Sequence, residues 1–291
     1  MILVTGANGH FGKAAIHALL NKGTAPQNIK ALIRKSEDKT YWEDLGVHAV
    51  IGDYNAYDSL IRAFDGVSKL LLVSSNDLHN RTAQQENAVR AAKASGVKHI
   101  VYTSLQRKTE DASSPLWAVA DSHLNTEKLI LESGMHYTIL KNNLYLDLLP
   151  AFVGEHVFEN STIYVPAGDG KISAVLRSEM AEAAAQILLS AHHENKVYDF
   201  VNEQSVSYKE VAELLGKISG TSIQYISPSS EEYMATLTGF GVPLEGVQIF
   251  TAFAVAQAQG ELDKTSDDLT KILGRKPTSV LQHIESVYNR G

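Results

Sequence analysis

The chain opens with MILVTGANGHFG, residues Met1 to Gly12, and the reading of this stretch decides the fold. Ile2 to Thr5 are apolar or β-branched and read as a short buried strand. They run straight into Gly6, Gly9 and Gly12, then into KAAIHALLN, whose apolar residues have helical spacing. Strand, glycine turn, helix is the context in which a glycine triplet reads as a dinucleotide site. Gly6 permits the tight turn out of the strand. Gly9 lets backbone approach a pyrophosphate with no Cβ in the way, and Gly12 lets the helix lie close to the sheet. The free N–H groups and positive dipole end of that helix then face the phosphates. The spacing is G-x-x-G-x-x-G rather than the G-x-G-x-x-G of the standard fingerprint.

Outward from this turn, strand-like runs alternate with helical patterns. Strands are expected at 2–5, 29–34, 47–54, 69–75, 99–105 and 136–141. Helical patterns fall between them, at 39–46, 59–64, 79–95 and 121–133, three of them closed by Gly46, Gly96 and Gly134. Such alternation implies parallel strands joined by right-handed crossovers. The fold class is therefore α/β, a Rossmann-type doubly wound parallel sheet, with ligands at the carboxyl ends of the strands. The second half is less regular. It holds a turn at Ala167–Gly170, a helix over 178–190, a strand over 196–201 and a capping box at Ser207 and Glu210 that opens a helix to Ser219. Gly239, Gly241 and Pro243 break the chain before helical stretches at 244–259, 266–273 and 278–289. The expected organisation is a dinucleotide-binding domain over 1–146, to which 172–202 returns, and a small C-terminal α/β lobe from 147–171 and 203–291.

Composition narrows the partners. A net charge of −7 with no basic block argues against nucleic acid or an anionic membrane. The absence of cysteine excludes disulfides, thiolate catalysis and Cys-ligated metal. The longest apolar runs, such as LLLV at 70–73, are too short to span a bilayer. With a first strand beginning at Ile2, no signal peptide is expected, and the cytoplasm is the expected location.

The carboxyl-end rule selects the residues that could touch a cofactor. Arg34 closes the second strand, 22 positions after Gly12. A site for NADH usually has an acid here for the ribose 2′-hydroxyl, whereas an Arg can hold a 2′-phosphate. The expectation is NADPH, with NADH possible; the alternative is a solvated pair with Lys35. Asp53 either reaches the adenine ring or caps the next helix. Ser74, Ser75 and Asn76 either line the ribose and nicotinamide or form ordinary turn chemistry.

The catalytic side is marked by what it lacks. A short-chain dehydrogenase would carry Tyr-x-x-x-Lys on the helix after the fifth strand. The only such spacing here, Tyr137 to Lys141, lies on an expected strand, which separates the side chains by roughly 13 Å. The helix carries His123 and Lys128 instead, and Lys128 points to a different face. His123 either assists a proton transfer or is structural. Without a strong proton donor, an alkoxide left by reduction of an ordinary ketone has no partner. A quinone delocalises that charge and a cationic dye is simply neutralised, so the residues favour a strongly electrophilic acceptor.

With these motifs in place, the chain resembles the NmrA-like, atypical short-chain dehydrogenase/reductases. The likeness rests on VTGANGHFG at 4–12, ALIR at 31–34, GDY at 52–54, AAKASGVKHIVYTS at 91–104, HLNTEK at 123–128 and YTILKNNLY at 137–145. AGDGKI at 167–172, HENKVYDFV at 193–201 and KTSDDLTKILG at 264–274 carry it through the second half and toward the quinone- and dye-reducing subgroup. The resemblance implies NADPH held between the two lobes and neither flavin nor metal. It implies cofactor contacts at Gly6, Ala7, Asn8, Gly9, His10, Phe11, Arg34, Ser74 and Ser75, with Thr138, Lys141, Asn142 and Asn143 in the segment at the nicotinamide end. Lys141 stands where the family usually has Arg, and His10 where close relatives have Gln. His123 falls where related plant reductases have a catalytic Lys. The acceptor would lie against Tyr102, Thr103, Ser104, Asn143, Tyr145 and Phe152, unless the aromatics only pack the lobes together. The implied partner is a small-molecule quinone or dye-like acceptor, on a monomer or homodimer. A regulator that binds the dinucleotide without turning it over is the competing reading.

Overall fold

The computed structural model describes residues 1–289. In chain order the first half contains β1 (Ile2–Val4), α1 (His10–Asn21), β2 (Ile29–Ile33), α2 (Lys39–Glu43), β3 (His48–Ile51), α3 (Tyr57–Phe64), β4 (Lys69–Leu72), α4 (Arg81–Ala94), β5 (His99–Leu105), α5 (Trp117–Glu132) and β6 (His136–Asn142). Then follow α6 (Leu149–Val153), α7 (Val157–Asn160), β7 (Thr162–Tyr164), β8 (Lys171–Ile172), α8 (Arg177–Leu189), β9 (Lys196–Phe200), β10 (Val206–Ser207), α9 (Tyr208–Ser219), β11 (Gln224–Ile226), α10 (Ser230–Gly239), α11 (Leu244–Ala258), α12 (Asp268–Leu273) and α13 (Val280–Tyr288).

Seven strands form one parallel sheet in the order β3-β2-β1-β4-β5-β6-β9. The order reverses between β1 and β4, which makes the end of β1 the topological switch point, where open α/β sheets take their ligands. Successive residues of β1 face opposite layers. Val4 joins Ile16, Leu19 and the alanines of α8 on one side, while Leu3 joins Leu60, Phe64 and Ala88 of α3 and α4 on the other. Both faces are therefore covered, as an all-parallel sheet requires. The strand ends are tied by hydroxyls. Tyr54, just beyond β3, reaches Thr5 Oγ1 at 2.6 Å and Val73 O at 2.8 Å, so the loops after β1, β3 and β4 share one knot.

After β6, α8 and β9 return to the sheet, with α8 against α1. Helix α12 packs on α8 and β9 with Leu269 in the first core, while the other elements surround a second core that includes Phe152, Ile163, Val165, Tyr208, Leu215 and Ile284. Two small sheets frame it, antiparallel β8–β10 and parallel β7–β11. These pairs, of two and three residues a strand, are too short to show alternation in sequence. Helix α10 was also absent from the expected elements, although Ser229 and Glu232 form a capping box of the same kind as Ser207 and Glu210. Helix α5 begins four residues before the expected Asp121, because the turn at Ser114 already directs Trp117 into the helix. Among the described residues no helix is long and apolar enough to cross a membrane. No group of three His, Cys, Asp or Glu among them could hold a metal ion.

Candidate active site

The carboxyl edge of the sheet begins with the glycine turn. Gly6 has φ +58°, a conformation that glycine adopts without the Cβ penalty. Gly9 caps α1 and its N–H donates to Gly6 O at 2.9 Å. A Cβ on Gly12 would lie 2.3 Å from Gly6 O, so the helix can approach the strand this closely only with glycine there. No side chain caps α1 and no acid sits in its first turn, which leaves the helix N-terminus open to an anion. Ala7 and the Phe11 ring are buried in the core, so these two residues offer a ligand their backbone rather than side chains. Asn8 Oδ1 accepts from Trp42 Nε1 at 3.0 Å, and His10 is exposed.

Arg34 follows β2, exposed and without a side-chain partner among the described residues, whereas its neighbour Lys35 pairs with Glu37 at 3.3 Å. Asp53 closes its own loop, accepting from Asn55 N at 2.8 Å. Past β4, Ser74 N donates to Thr103 Oγ1 at 2.8 Å, and Ser75 Oγ donates to Gln84 Oε1 at 2.5 Å. The turn, Arg34 and the two serines thus lie along one edge of the sheet, around the switch point. A cradle that a Cβ would fill, an open helix end and an unpaired guanidinium are features that fit a phosphorylated dinucleotide.

Farther along the edge the polar groups are buried and connected. Arg107, whose side chain is fully buried, makes a two-pronged pair with Glu127 at 2.8 and 3.0 Å. Ser104 Oγ donates to the same carboxylate. Glu110 joins Arg107 at 3.0 Å and Lys141 at 3.6 Å, which brings Lys141 into this network. Asn142, at the end of β6, is buried and neither of its side-chain polar atoms makes a hydrogen bond among the described residues. An unpaired buried amide costs about 1–3 kcal/mol, a cost expected where a ligand is met.

His123 lies deep in α5, 4% exposed. Its Nδ1 is 2.7 Å from the Tyr102 hydroxyl, and its Nε2 is 3.4 Å from Arg81 Nη1. Arg81 can only donate, so Nε2 is the acceptor and Nδ1 carries the proton, which it gives to Tyr102. Tyr102 in turn donates to Gln85 Oε1 at 3.3 Å. Burial first, then Arg81 and Arg107, push the His123 pKa well below the ordinary imidazole range. The ring is therefore neutral near pH 7, and both nitrogens are engaged. Tyr145 is half-buried beside this group, its ring 5.2 Å from the Arg177 guanidinium.

Several expected contacts are corrected by their positions. Thr138 is at the wrong end of the sheet: its hydroxyl joins His99 Nε2 at 2.8 Å and donates to His193 O at 2.7 Å, near the amino end of β6. Asn143 is committed to the seam between the two cores, its amide donating to Gln106 Oε1, Ser173 Oγ and Leu262 O. Tyr102 is fully buried under α4 and α5 and presents nothing to an acceptor. Phe152 stacks edge-on to Phe250 at 4.8 Å inside the second core, which is the packing alternative. Thr103 and Ser104 are buried with their hydroxyls engaged.

Arg81, Gln85, Arg107 and Glu127 were missed. Arg81 had a signal: a cation in the first turn of α4 opposes the helix dipole, a local conflict that marks a functional or strained site.

A family model described as the NmrA-like family matches residues 1–284. The chain is 34% identical to quinone oxidoreductase 2 of Escherichia coli, over 99% of each chain. The crystal structure of that NADPH-dependent quinone oxidoreductase complexed with NADPH superposes with a TM-score of 0.90, covering 99% of this chain and 100% of that one. The triphenylmethane reductase of Citrobacter sp. complexed with NADP(H) gives a TM-score of 0.89 at 38% identity, over 98% of this chain and 99% of that one.

Proposed function

The chain belongs to the NmrA-like family, and from that premise we propose that this NAD(P)H-dependent oxidoreductase passes hydride directly to a quinone-type acceptor, without flavin or metal. The observation that carries this reading is the makeup of α5. It presents a neutral His123 and a Glu127 held by Arg107, with no tyrosine–lysine pair to protonate an alkoxide.

The nicotinamide of a bound NADPH supplies the hydride. The protein's part is placement. The glycine turn and the open end of α1 hold the pyrophosphate, and Arg34 holds the 2′-phosphate. Ser74 and Ser75 line the ribose side, and Asn142 and Lys141 stand at the nicotinamide end. His123 is a positioning residue: its two hydrogen bonds fix Arg81 and Tyr102, while burial and the neighbouring arginines keep the ring neutral. Residues 147–171 and 203–289, with the exception of α12, form the lobe that covers the acceptor. Reduction of triphenylmethane-type dyes is the second reading, favoured by the likeness to the Citrobacter enzyme.

The test mixes the purified protein with NADPH and 1,4-benzoquinone and follows NADPH absorbance, with no flavin added and NADH as control. Turnover with NADPH preferred is expected. Tight NADPH binding with no turnover of quinones or dyes would replace the enzyme reading with that of a dinucleotide sensor.

A further inference from the structure

Arg81 is 7% exposed, yet no carboxylate pairs with it among the described residues. Its Nε donates to Ser75 O at 2.5 Å, and Nη1 donates to His123 Nε2. Both contacts are neutral acceptors, so they orient the guanidinium without cancelling its charge. Nη2 has no protein partner among the described residues, and it is not among the unpartnered atoms sealed from solvent. The group lies at the start of α4, beyond the end of β4, close enough to feel the Tyr102 and Tyr145 hydroxyls and, more weakly, the Asp77 carboxylate, which forms no ion pair with it among the described residues. Burial lowers its pKa from the ordinary guanidinium range, which measures the discomfort of a desolvated cation left unpaired. Truly uncompensated buried charges are rare because they are expensive.

The geometry points to Arg81 as the group that receives the negative charge a neutral acceptor acquires with the hydride, and so as the residue that favours quinones over cationic dyes. This rests on the reductase reading and deepens it. A quinone takes up hydride from NADPH and becomes a hydroquinone monoanion, while NADPH becomes NADP+; a proton from solvent completes the hydroquinone. The new oxyanion meets Nη2 in a site of low polarity, where a fixed donor is worth far more than in water. A triphenylmethane dye behaves oppositely. Its cationic central carbon forms the C–H bond and the product is neutral, so no anion appears and the guanidinium only repels the substrate. Ser75 and His123 hold the donor in place before the charge develops, which is the condition for preorganised stabilisation.

The test compares Arg81→Met and Arg81→Lys with the unaltered protein by three readouts. Arg81→Met should lower quinone kcat/KM by about 100-fold, mostly in kcat. The quinone-to-dye ratio of kcat/KM should shift by about 50-fold toward crystal violet. Arg81→Lys, which keeps a point charge, should recover about tenfold of the quinone loss. The third readout needs no turnover. 4-Nitrophenol titrated into the protein with NADP+ should bind as the phenolate with a lowered pKa, and Arg81→Met should abolish that shift. Equal losses for quinone and dye, with weakened NADPH binding, would reduce Arg81 to a brace for the Ser75 loop. A 4-nitrophenol pKa unchanged on the unaltered protein would overturn the proposal even if quinones are reduced. Bound phenolate without any turnover would instead remove the reductase reading and leave the anion site standing.

Discussion

Two histidines are buried near one sheet, His123 on a helix against it and His99 on a strand within it, and the groups that surround them differ. His123, on α5, has both nitrogens bonded and a guanidinium for a neighbour. His99, the first residue of β5, bonds Thr138 through Nε2 and keeps Nδ1 sealed without a partner. Both are held neutral, His123 with the help of two arginines and His99 mainly by burial, with Lys69 adding to it. Around His123 the charges of Arg81, Arg107 and Glu127 converge on the carboxyl edge. Around His99 lie Lys69, His136, His193 and Glu194, an amino-edge cluster with no glycine cradle beside it. The difference teaches where each edge's polarity is directed: toward a ligand at one end, and toward holding strands and loops together at the other.

The largest expected effect breaks the carboxyl edge alone. Gly12→Ala would place a methyl carbon 2.3 Å from Gly6 O and 2.8 Å from Thr5 O, so α1 must lift from β1. The expected cost is about 2–3 kcal/mol in chemical unfolding. NADPH affinity, followed by fluorescence titration, should fall about 100-fold or more. The same methyl at Gly96, before β5, meets nothing within 4 Å and strains only a φ of +74°. Gly96→Ala should cost about 1 kcal/mol and leave NADPH affinity unchanged. Equal binding losses in the two variants would erase the distinction between the edges.

The next effect sharpens the contrast through pH. The His99 pKa is lowered to about 4, while an unfolded histidine titrates near 6.5. Between these values the unfolded chain binds more protons, so stability is present above about pH 6.5 and is lost as pH falls toward 4. The loss is on the order of 2–3 kcal/mol for this group. His99→Gln can keep a hydrogen bond to Thr138 without the titration. Its unfolding free energy should therefore fall less steeply over that window, by about one proton's slope, with NADPH binding intact. An unchanged slope would mean that His99 is not the group being protonated.

The fold was legible because its signals are local and repeated. Gly6, Gly9 and Gly12 specify the turn, and strand-sized runs alternating with helices specify the parallel sheet. Arg34, Ser74 and Ser75 followed from the rule that ligands meet carboxyl ends of strands. The strand-end rule could not reveal contacts that cross the sheet layers. Arg81 meets His123 across 42 positions, and Asn143 meets Leu262 across 119. No periodicity encodes such pairs. Thr138 shows the opposite failure: carrying the whole segment Thr138 to Asn143 over as a unit ignored that seven residues of β6 traverse the sheet from one edge to the other.

Thr138 also supplies the smallest and cleanest test of that lesson. Its hydroxyl donates its one proton to His193 O and so accepts from His99 Nε2. Thr138→Val keeps the shape and removes both bonds, leaving a second unsatisfied nitrogen on an imidazole that already has one. The expected cost is about 1–2 kcal/mol of stability. NADPH affinity should stay within about twofold of the unaltered protein, since the residue pairs with Val101 below the end of β5 and points to the amino-edge cluster. A larger loss of affinity with stability unchanged would return Thr138 to the cofactor side. It would also show that the two edges are coupled through β6, because a hydroxyl held by His99 and His193 could act on the cofactor only by moving the strand that ends in Asn142.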